Sequence, residues 1–325
     1  MRKKSKPGIR EIAERTNLNI STVSRALNYS PLISPETTSK VLRAANELGY
    51  HQHTGRKKII VVLPPYTDTM AWYALNLINA LQKVLGERKY YWEYINVDYL
   101  DMILERSVSG IISMDYQNRA ARAISKKFQL PLVCINDASA HLENAYSVNS
   151  DSESGISLAF QCLFDNGHRR IAFLSTGGEN SHDTQKRKKA FFNLAEKQLM
   201  EGDYRCVNCR NKTLLEQVQE LYADGFTGLI SDGESRCVEV HSAMQACNIQ
   251  VPSMMSLITW ELPHVSGMLT PGITTLEQDF AQLAEKAVEL LELQWKGEQP
   301  VNDVPVPFRL ILRNSVAPPP ETTMK

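Results

Sequence analysis

A chain of 325 residues with 43% hydrophobic content is long enough for one small and one large domain, or three modest ones, and has ample apolar material for buried cores. Its formal net charge is zero, which excludes a chain that is basic throughout, yet residues 1–58 hold 12 Lys and Arg against 4 Asp and Glu, so the front carries an excess of about +8 that the remainder offsets. No apolar run is long enough to span a bilayer, and Met1-Arg2-Lys3-Lys4 leads into a polar helix rather than a signal-peptide core, so a cytoplasmic protein with no membrane partner is expected.

Met1 to Gly8, rich in Lys and Arg, reads as a basic arm that attracts phosphate without selecting bases. Ile9, Ile12 and Ala13, then Leu18, then Val23, Ala26 and Leu27 fall at helical spacing around the break Thr16-Asn17-Leu18-Asn19, the pattern of a helix-turn-helix. Asn19 suits the N-cap of the second helix, which leaves Ile20, Ser21 and Thr22 at its positive end, where a phosphate backbone is favoured. With Val23, Ala26 and Leu27 turned inward, Ile20, Ser21 and Arg25 lie on the opposite side, where a recognition helix meets base edges in the major groove. Arg25 can donate two parallel bonds to a guanine. Ser34-Pro35-Glu36 supplies the N-cap, first-turn proline and acidic first turn of a third helix with Val41, Leu42, Ala45 and Leu48 inward and Gly49 at its end. This domain spans residues 1–50, and the polar stretch His51 to Lys58 reads as a linker whose Arg56, Lys57 and Lys58 either follow phosphates or are simply solvated.

From Ile59 short apolar runs alternate with helical stretches, which predicts α/β architecture with parallel sheets covered on both faces. Strands are expected at Ile59 to Leu63, Tyr91 to Val97, Gly110 to Met114, Leu132 to Asn136 and Ala145 to Val148, with helices near Ala71 to Gly86, Asp98 to Arg106 and Asn118 to Phe128. A second set follows, with strands at Ile171 to Ser175, Tyr204 to Val207, Gly228 to Ser231 and Ser256 to Thr259, and helices near Ser154 to Asn166, Gln185 to Leu199, Thr213 to Ala223 and Arg236 to Cys247. Two Rossmann-like lobes fit a core over residues 59–316, which also takes in a helix from Glu277 to Trp295 and a late strand from Val304 to Leu312. Residues 317–325 open on Ala317-Pro318-Pro319-Pro320, show no apolar period and read as a disordered tail. The six cysteines are spread through these elements; Cys206 and Cys209 with Cys237 and His241 would make four zinc ligands, but on an unmatched spacing, so buried thiols and no metal are expected. There is no Gly-x-Ser-x-Gly elbow, no phosphate-binding glycine loop and no His-Glu-x-x-His pair, so neither an enzyme nor a cofactor is expected.

Ile12-Ala13, Leu18, Thr22-Val23-Ser24-Arg25-Ala26-Leu27-Asn28, Ile33-Ser34, Thr37, Val41 and Leu48-Gly49-Tyr50 resemble the DNA-binding domain of the lactose-repressor (LacI/GalR) family. The likeness continues through Val148, Asp151 and Gly155, Gly167 to Phe173, Arg187 with Ala190-Phe191, Pro271 to Thr275 with Gln278, and Arg313-Asn314-Ser315. It implies a three-helix DNA-binding domain joined to a two-lobed, periplasmic-binding-protein-like core that dimerises and holds an effector in its cleft. Phosphate contacts then fall to Asn19, Thr22, Ser24, Asn28, Ser34 and Thr37. Family members carry a longer hinge segment that inserts a leucine into the minor groove; no leucine lies between Tyr50 and Ile59, so weaker DNA bending, or bending by other means, is expected.

For the effector, Arg187 matches the family arginine, against the plain reading of Lys186-Arg187-Lys188-Lys189 as a solvated basic face. Ser231 and Asp232 stand where the family has Asn-Asp, Glu261 where it has an aspartate, and Trp72 and Tyr73 where it has paired aromatics; Asp151 belongs to the same set. Glu261 reads equally as a surface carboxylate, and the two aromatics as core. The resemblance implies a homodimeric repressor of double-stranded operator DNA controlled by a sugar-like molecule. A cytoplasmic solute sensor that does not bind DNA, and a ligand-independent DNA-binding protein, are the rival readings.

Overall fold

A computed structural model of the chain describes residues 8–50, 57–65, 71–106, 108–115, 119–125, 130–137, 145–175, 182–209, 212–233, 236–299 and 301–320. The expected basic arm over residues 1–7, residues 51–56 of the expected linker, and residues 321–325 of the expected tail lie outside the described residues.

The first three helices are α1 (Ile9–Thr16), α2 (Ile20–Leu27) and α3 (Pro35–Leu48). Helices α2 and α3 each begin where a side-chain oxygen meets an otherwise unbonded first-turn amide. Asn19 Oδ1 accepts from Thr22 N at 2.7 Å, and Ser34 Oγ accepts from Thr37 N at 3.2 Å with Pro35 at the first helical position. Gly49, at φ 68°, closes α3 in the left-handed conformation that glycine adopts without a Cβ penalty. Ile12, Val23, Ala26, Leu27, Val41 and Leu42, each at most 3% exposed, form one small core.

The chain divides into two compact units, residues 1–149 with 280–304, and residues 150–279 with 305–325. The first holds the three helices, then β1 (Lys58–Leu63), α4 (Ala71–Glu87), β2 (Tyr91–Asn96), the 3-10 helix Val97–Glu105, β3 (Gly110–Ser113), α5 (Arg119–Ser125), β4 (Leu132–Ile135) and β5 (Ala145–Ser150). The second holds α6 (Ser152–Asp165), β6 (Ile171–Ser175), α7 (His182–Gln198), β7 (Tyr204–Asn208), α8 (Leu214–Ala223), β8 (Gly228–Ser231), α9 (Arg236–Ala246), β9 (Ser256–Trp260) and β10 (Thr274–Glu277). The chain then returns through α10 (Phe280–Lys296) and β11 (Asp303–Val306) before ending the second sheet with β12 (Arg309–Ile311).

The sheets run β11-β5-β4-β3-β1-β2 and β12-β10-β9-β8-β6-β7. The pairings β1–β2, β1–β3, β3–β4 and β4–β5, and the corresponding ones of the second sheet, are parallel; β12 is antiparallel to β10. Central strands β3, β4, β6, β8 and β9 are buried along their whole length, as parallel strands covered on both faces are. Gly155 allows α6 to lie against Phe308: a Cβ there would stand 2.8 Å from the ring.

Besides β10, where no strand is expected from the sequence, the described residues depart from the sequence expectation at five places. Lys58 starts β1 rather than ending a linker. The stretch expected as a helix from Asp98 is a 3-10 helix, with Tyr99 at φ −118° breaking its regularity. The helix expected from Glu277 starts at Phe280 and belongs to the first unit, where it packs on α4. The late strand is two strands in two different sheets, divided around Pro307 and Phe308. Residues 317–320 are ordered: Ala317 N donates to Ser256 Oγ at 3.1 Å and its carbonyl sits 2.9 Å from His168 Nε2, so these first residues of the expected disordered tail are pinned to the second unit.

Candidate functional site

On α2 the inward and outward faces divide cleanly. Val23, Ala26 and Leu27 are buried, while Ile20 is 50% exposed and Ser21 and Arg25 are also exposed. Asn19 accepts from both the Thr22 amide and the Ser21 hydroxyl, the latter at 2.7 Å, so this end of α2 is fixed by its own side chains. Of the residues expected at phosphates, Asn19, Asn28 and Ser34 are exposed and Thr22, Ser24 and Thr37 half-buried; Asn28 Nδ2 donates to Ser24 O at 2.8 Å, and Ser34 Oγ donates to Thr37 Oγ1 at 2.9 Å. What results is a helix that buries Val23, Ala26 and Leu27 and leaves Ile20, Ser21 and Arg25 exposed on its other side.

The expected effector residues divide among three environments. In the second unit, Arg187 on α7 has a side chain only 15% exposed. Its Nη1 is 3.6 Å from Asp232 Oδ2, beyond hydrogen-bond length, and its carbon is 4.8 Å from the centre of the Trp260 ring. Arg187 Nε, Trp260 Nε1 and the Ser175 hydroxyl are buried with no hydrogen-bond partner among the described residues. Desolvated donors of this kind cost about 1–3 kcal/mol each when unmatched, which a polar ligand removes by supplying acceptor oxygens. Ser231 is buried at the end of β8, next to Asp232, which is 1% exposed.

In the first unit, Tyr73 is 5% exposed; its hydroxyl accepts from Asn136 Nδ2 at 2.9 Å and its ring meets Phe280 edge-on at 5.8 Å. Asn136, at φ 52°, leads into buried Asp137, whose amide donates to Asn149 Oδ1 at 2.8 Å. Trp72 is exposed and has no part in this cluster.

Two expected residues have structural occupations. Glu261 receives both Arg313 Nη1 at 2.8 Å and Nη2 at 3.0 Å, as well as the Thr275 hydroxyl, so both oxygens of its carboxylate are already engaged within the second unit. Asp151 caps α6, Oδ1 accepting from Ser154 N at 3.1 Å, while its own amide donates to Val306 O at 2.7 Å. Trp260, Asp137, Asn136 and Asn149 were not singled out by the sequence, although three of them sit at or just beyond strand C-termini, the end of an open parallel sheet where ligands bind. Burial pushes the Cys206 thiol up to about 11 and raises Cys209 and Cys237, so all three stay protonated and packed at neutral pH, and no group of three potential metal ligands gathers among the described residues.

Residues 8–53 match the family model of bacterial regulatory proteins of the lacI family, and residues 160–316 match a periplasmic binding protein-like domain. An HTH-type transcriptional repressor PurR of Histophilus somni is 23% identical over 337 residues, covering 95% of this chain and 98% of that protein, and one of Escherichia coli is 24% identical over 340 residues with 96% and 97% covered. Among solved structures, a lac repressor dimer bound to operator and the anti-inducer ONPF aligns at a TM-score of 0.69 and 19% identity over 96% of this chain and all of that one. A LacI family transcriptional regulator from Enterococcus faecium with bound ribose aligns at 0.66 and 20% over 81% of this chain and 99% of its own. With residues 8–53 matching the regulatory model, residues 160–316 matching the binding-protein model, and repressors alike over 95–96% of its length, the chain belongs to the lacI family of bacterial regulatory proteins.

Proposed function

We propose that this chain is a homodimeric transcriptional repressor that reads a roughly palindromic operator through α2, with its operator affinity set by a sugar-like molecule held at Arg187, Asp232 and Trp260. The observation that carries the DNA reading is the exposed face of Ile20, Ser21 and Arg25 on a helix whose opposite face is buried. Base choice is assigned to those three, and affinity largely to phosphate contacts from Asn19, Thr22, Ser24, Asn28, Ser34 and Thr37. The relatives named as repressors and the ribose-bound neighbour support the same reading. For the effector, the buried donors of Arg187 and Trp260 next to Asp232 suit vicinal hydroxyls, each of which offers an acceptor to the guanidinium and a donor to the carboxylate. Glu261 and Asp151, each bonded elsewhere within the second unit, leave the proposed set. The protein acts by binding alone, in the cytoplasm, and a ligand alters operator affinity only by its differential affinity for two states of the core.

The test is footprinting of the full-length protein on its own upstream DNA, with thermal-shift screening of sugars and nucleosides. The expected result is a protected palindrome of two half-sites one helical turn apart, or a multiple of it, and a ligand that changes its occupancy. Absence of any footprint would remove the DNA reading; a footprint that no ligand alters would favour a ligand-independent binder.

A further inference from the structure

The three-helix domain does not stand apart from the first unit. Its last helix, α3, packs against the 3-10 helix Val97–Glu105. At this junction Asn46, 2% exposed, donates from Nδ2 to the backbone carbonyl of Arg106 at 3.0 Å. Arg106 is itself tied down: its amide donates to Ile103 O at 3.2 Å, and its guanidinium reaches Glu93 on β2 at 3.0 Å. The other oxygen of Glu93 takes Lys58, the first residue of β1, at 2.7 Å. A continuous chain of polar contacts therefore runs from the body of α3 into the first two strands of the sheet. A buried carboxamide is satisfied in few geometries, so it fixes register as well as adhesion. Beside this contact the junction opens into a cavity of about 390 Å³, walled by Tyr29, Pro31, Pro35 and Thr38 on one side and by Met102 and Arg106 on the other. It is thus bonded on one flank and open on the other.

We propose that the helix-turn-helix is carried on the first lobe as one rigid body, held by α3 on the 3-10 helix through Asn46. A change in the position of that lobe then moves α2 directly, through this docked surface. This rests on the reading of the chain as an effector-controlled DNA-binding regulator, and it assigns the coupling element of that regulation to a docked surface. It also accounts for a linker without the leucine wedge.

The experiment measures amide ¹⁵N relaxation of the full-length protein without DNA, comparing rotational correlation times of residues 8–50 with those of the two sheets. The expected result is a common correlation time, kept when six Gly and Ser residues are inserted after Gln52. Met102→Glu, which places a charge in the junction from the lobe side, and Asn46→Ala are each expected to shorten the correlation time of residues 8–50 several-fold while their chemical shifts stay those of the folded domain. Because Met102 lies outside the three-helix core, its variant keeps the test valid should Asn46→Ala unfold α3. Faster tumbling of the wild-type domain, release by the insertion alone, or unchanged tumbling in Met102→Glu would each overturn the proposal. Operator binding, measured on the same samples, separates the two readings: common tumbling in a protein that binds no operator removes the regulator reading and leaves the docking, whereas independent tumbling in one that binds operator removes the docking alone.

Discussion

Arg25 is exposed on a helix whose neighbouring positions are occupied with capping and packing, so its guanidinium is available to a base edge. Arg25→Ala is expected to weaken operator binding by about 1–3 kcal/mol and to leave binding to random DNA nearly unchanged, read by fluorescence anisotropy on both duplexes. Equal losses on the two would make Arg25 a phosphate contact. At the opposite extreme stands Glu261. The sequence places a carboxylate after a strand and offers no sign that Arg313, 52 residues later, consumes it, because ion pairing across a sheet depends on topology rather than spacing. Only 8% of the Glu261 side chain is exposed, so Glu261→Ala strands a largely buried guanidinium and is expected to cost about 3 kcal/mol of stability in calorimetric melts. Arg187→Lys keeps a cation near Asp232 but loses the planar fork and the unmatched Nε donor; it should melt close to wild type and lose at least about tenfold in effector affinity. The reverse pattern, with Glu261→Ala stable and unresponsive to ligand, would restore Glu261 to the binding site. The role of Trp260 was hidden for a related reason: an aromatic residue after an apolar strand reads as core, and here it is core and guanidinium platform together.

Elements with strong local signals were legible. The second and third helices of the front domain announce themselves by Asn19, by Ser34 with Pro35, and by Gly49, and the structure starts α2 after Asn19, starts α3 after Ser34 and ends α3 at Gly49. The helical period of Leu100, Ile103 and Leu104 in the sequence does not distinguish an α-helix from the 3-10 helix found there, which breaks at Tyr99 and packs on the sheet and α3. β10 was missed for its brevity, since four residues after a Pro-Gly turn carry too little alternation to distinguish a strand. Close packing between elements is equally silent in sequence. Gly155→Ala puts a methyl 2.8–3.3 Å from three atoms of the Phe308 ring, and is expected to cost about 1–3 kcal/mol in melting experiments; a neutral outcome would mean that α6 can lift from the ring. His168 has a comparable role between α6, β9 and the chain end. Burial lowers its pKa below 6.5, against the opposing pull of the Ala317 carbonyl. The folded state thus binds the proton less readily than the unfolded chain: His168 contributes fully above pH 6.5, and its contribution drains away as pH falls below that value. Denaturation at pH 7.5 and 5.0, compared with His168→Gln, should show a pH-dependent loss in wild type that the variant lacks. Parallel pH profiles would mean that His168 titrates alike in both states.

Over the whole molecule, two Rossmann-like units were evident from the alternation of strands and helices, but not their interleaving. The first unit is completed by residues 280–304 and the second by residues 305–325, and a crossing of this kind leaves no local trace. Its nearest trace is the pair Pro305 and Pro307: proline supplies no amide to a ladder, so one apparent strand is divided between the edges of two sheets. The charge distribution, by contrast, is read from sequence alone and survives any rearrangement of the units. Concentrating about +8 within the first 58 residues, and an equal negative excess behind them, favours approach to a polyanion by one end and disfavours it elsewhere. Neutralising phosphates releases counterions, so log Kobs should fall linearly with log salt, with a slope of about −0.9 per phosphate contacted. A dimer that meets six phosphates should therefore show a slope near −5 on operator. Replacing Lys3 and Lys4 by Gln should flatten it by about 2 per protomer on operator and random DNA alike, whereas Arg25→Ala, which removes a base contact, should leave it unchanged. A slope that ignores Lys3 and Lys4, or one that Arg25→Ala flattens as much as their loss does, would mean that the basic front end and the recognition helix do not divide affinity and sequence choice between them.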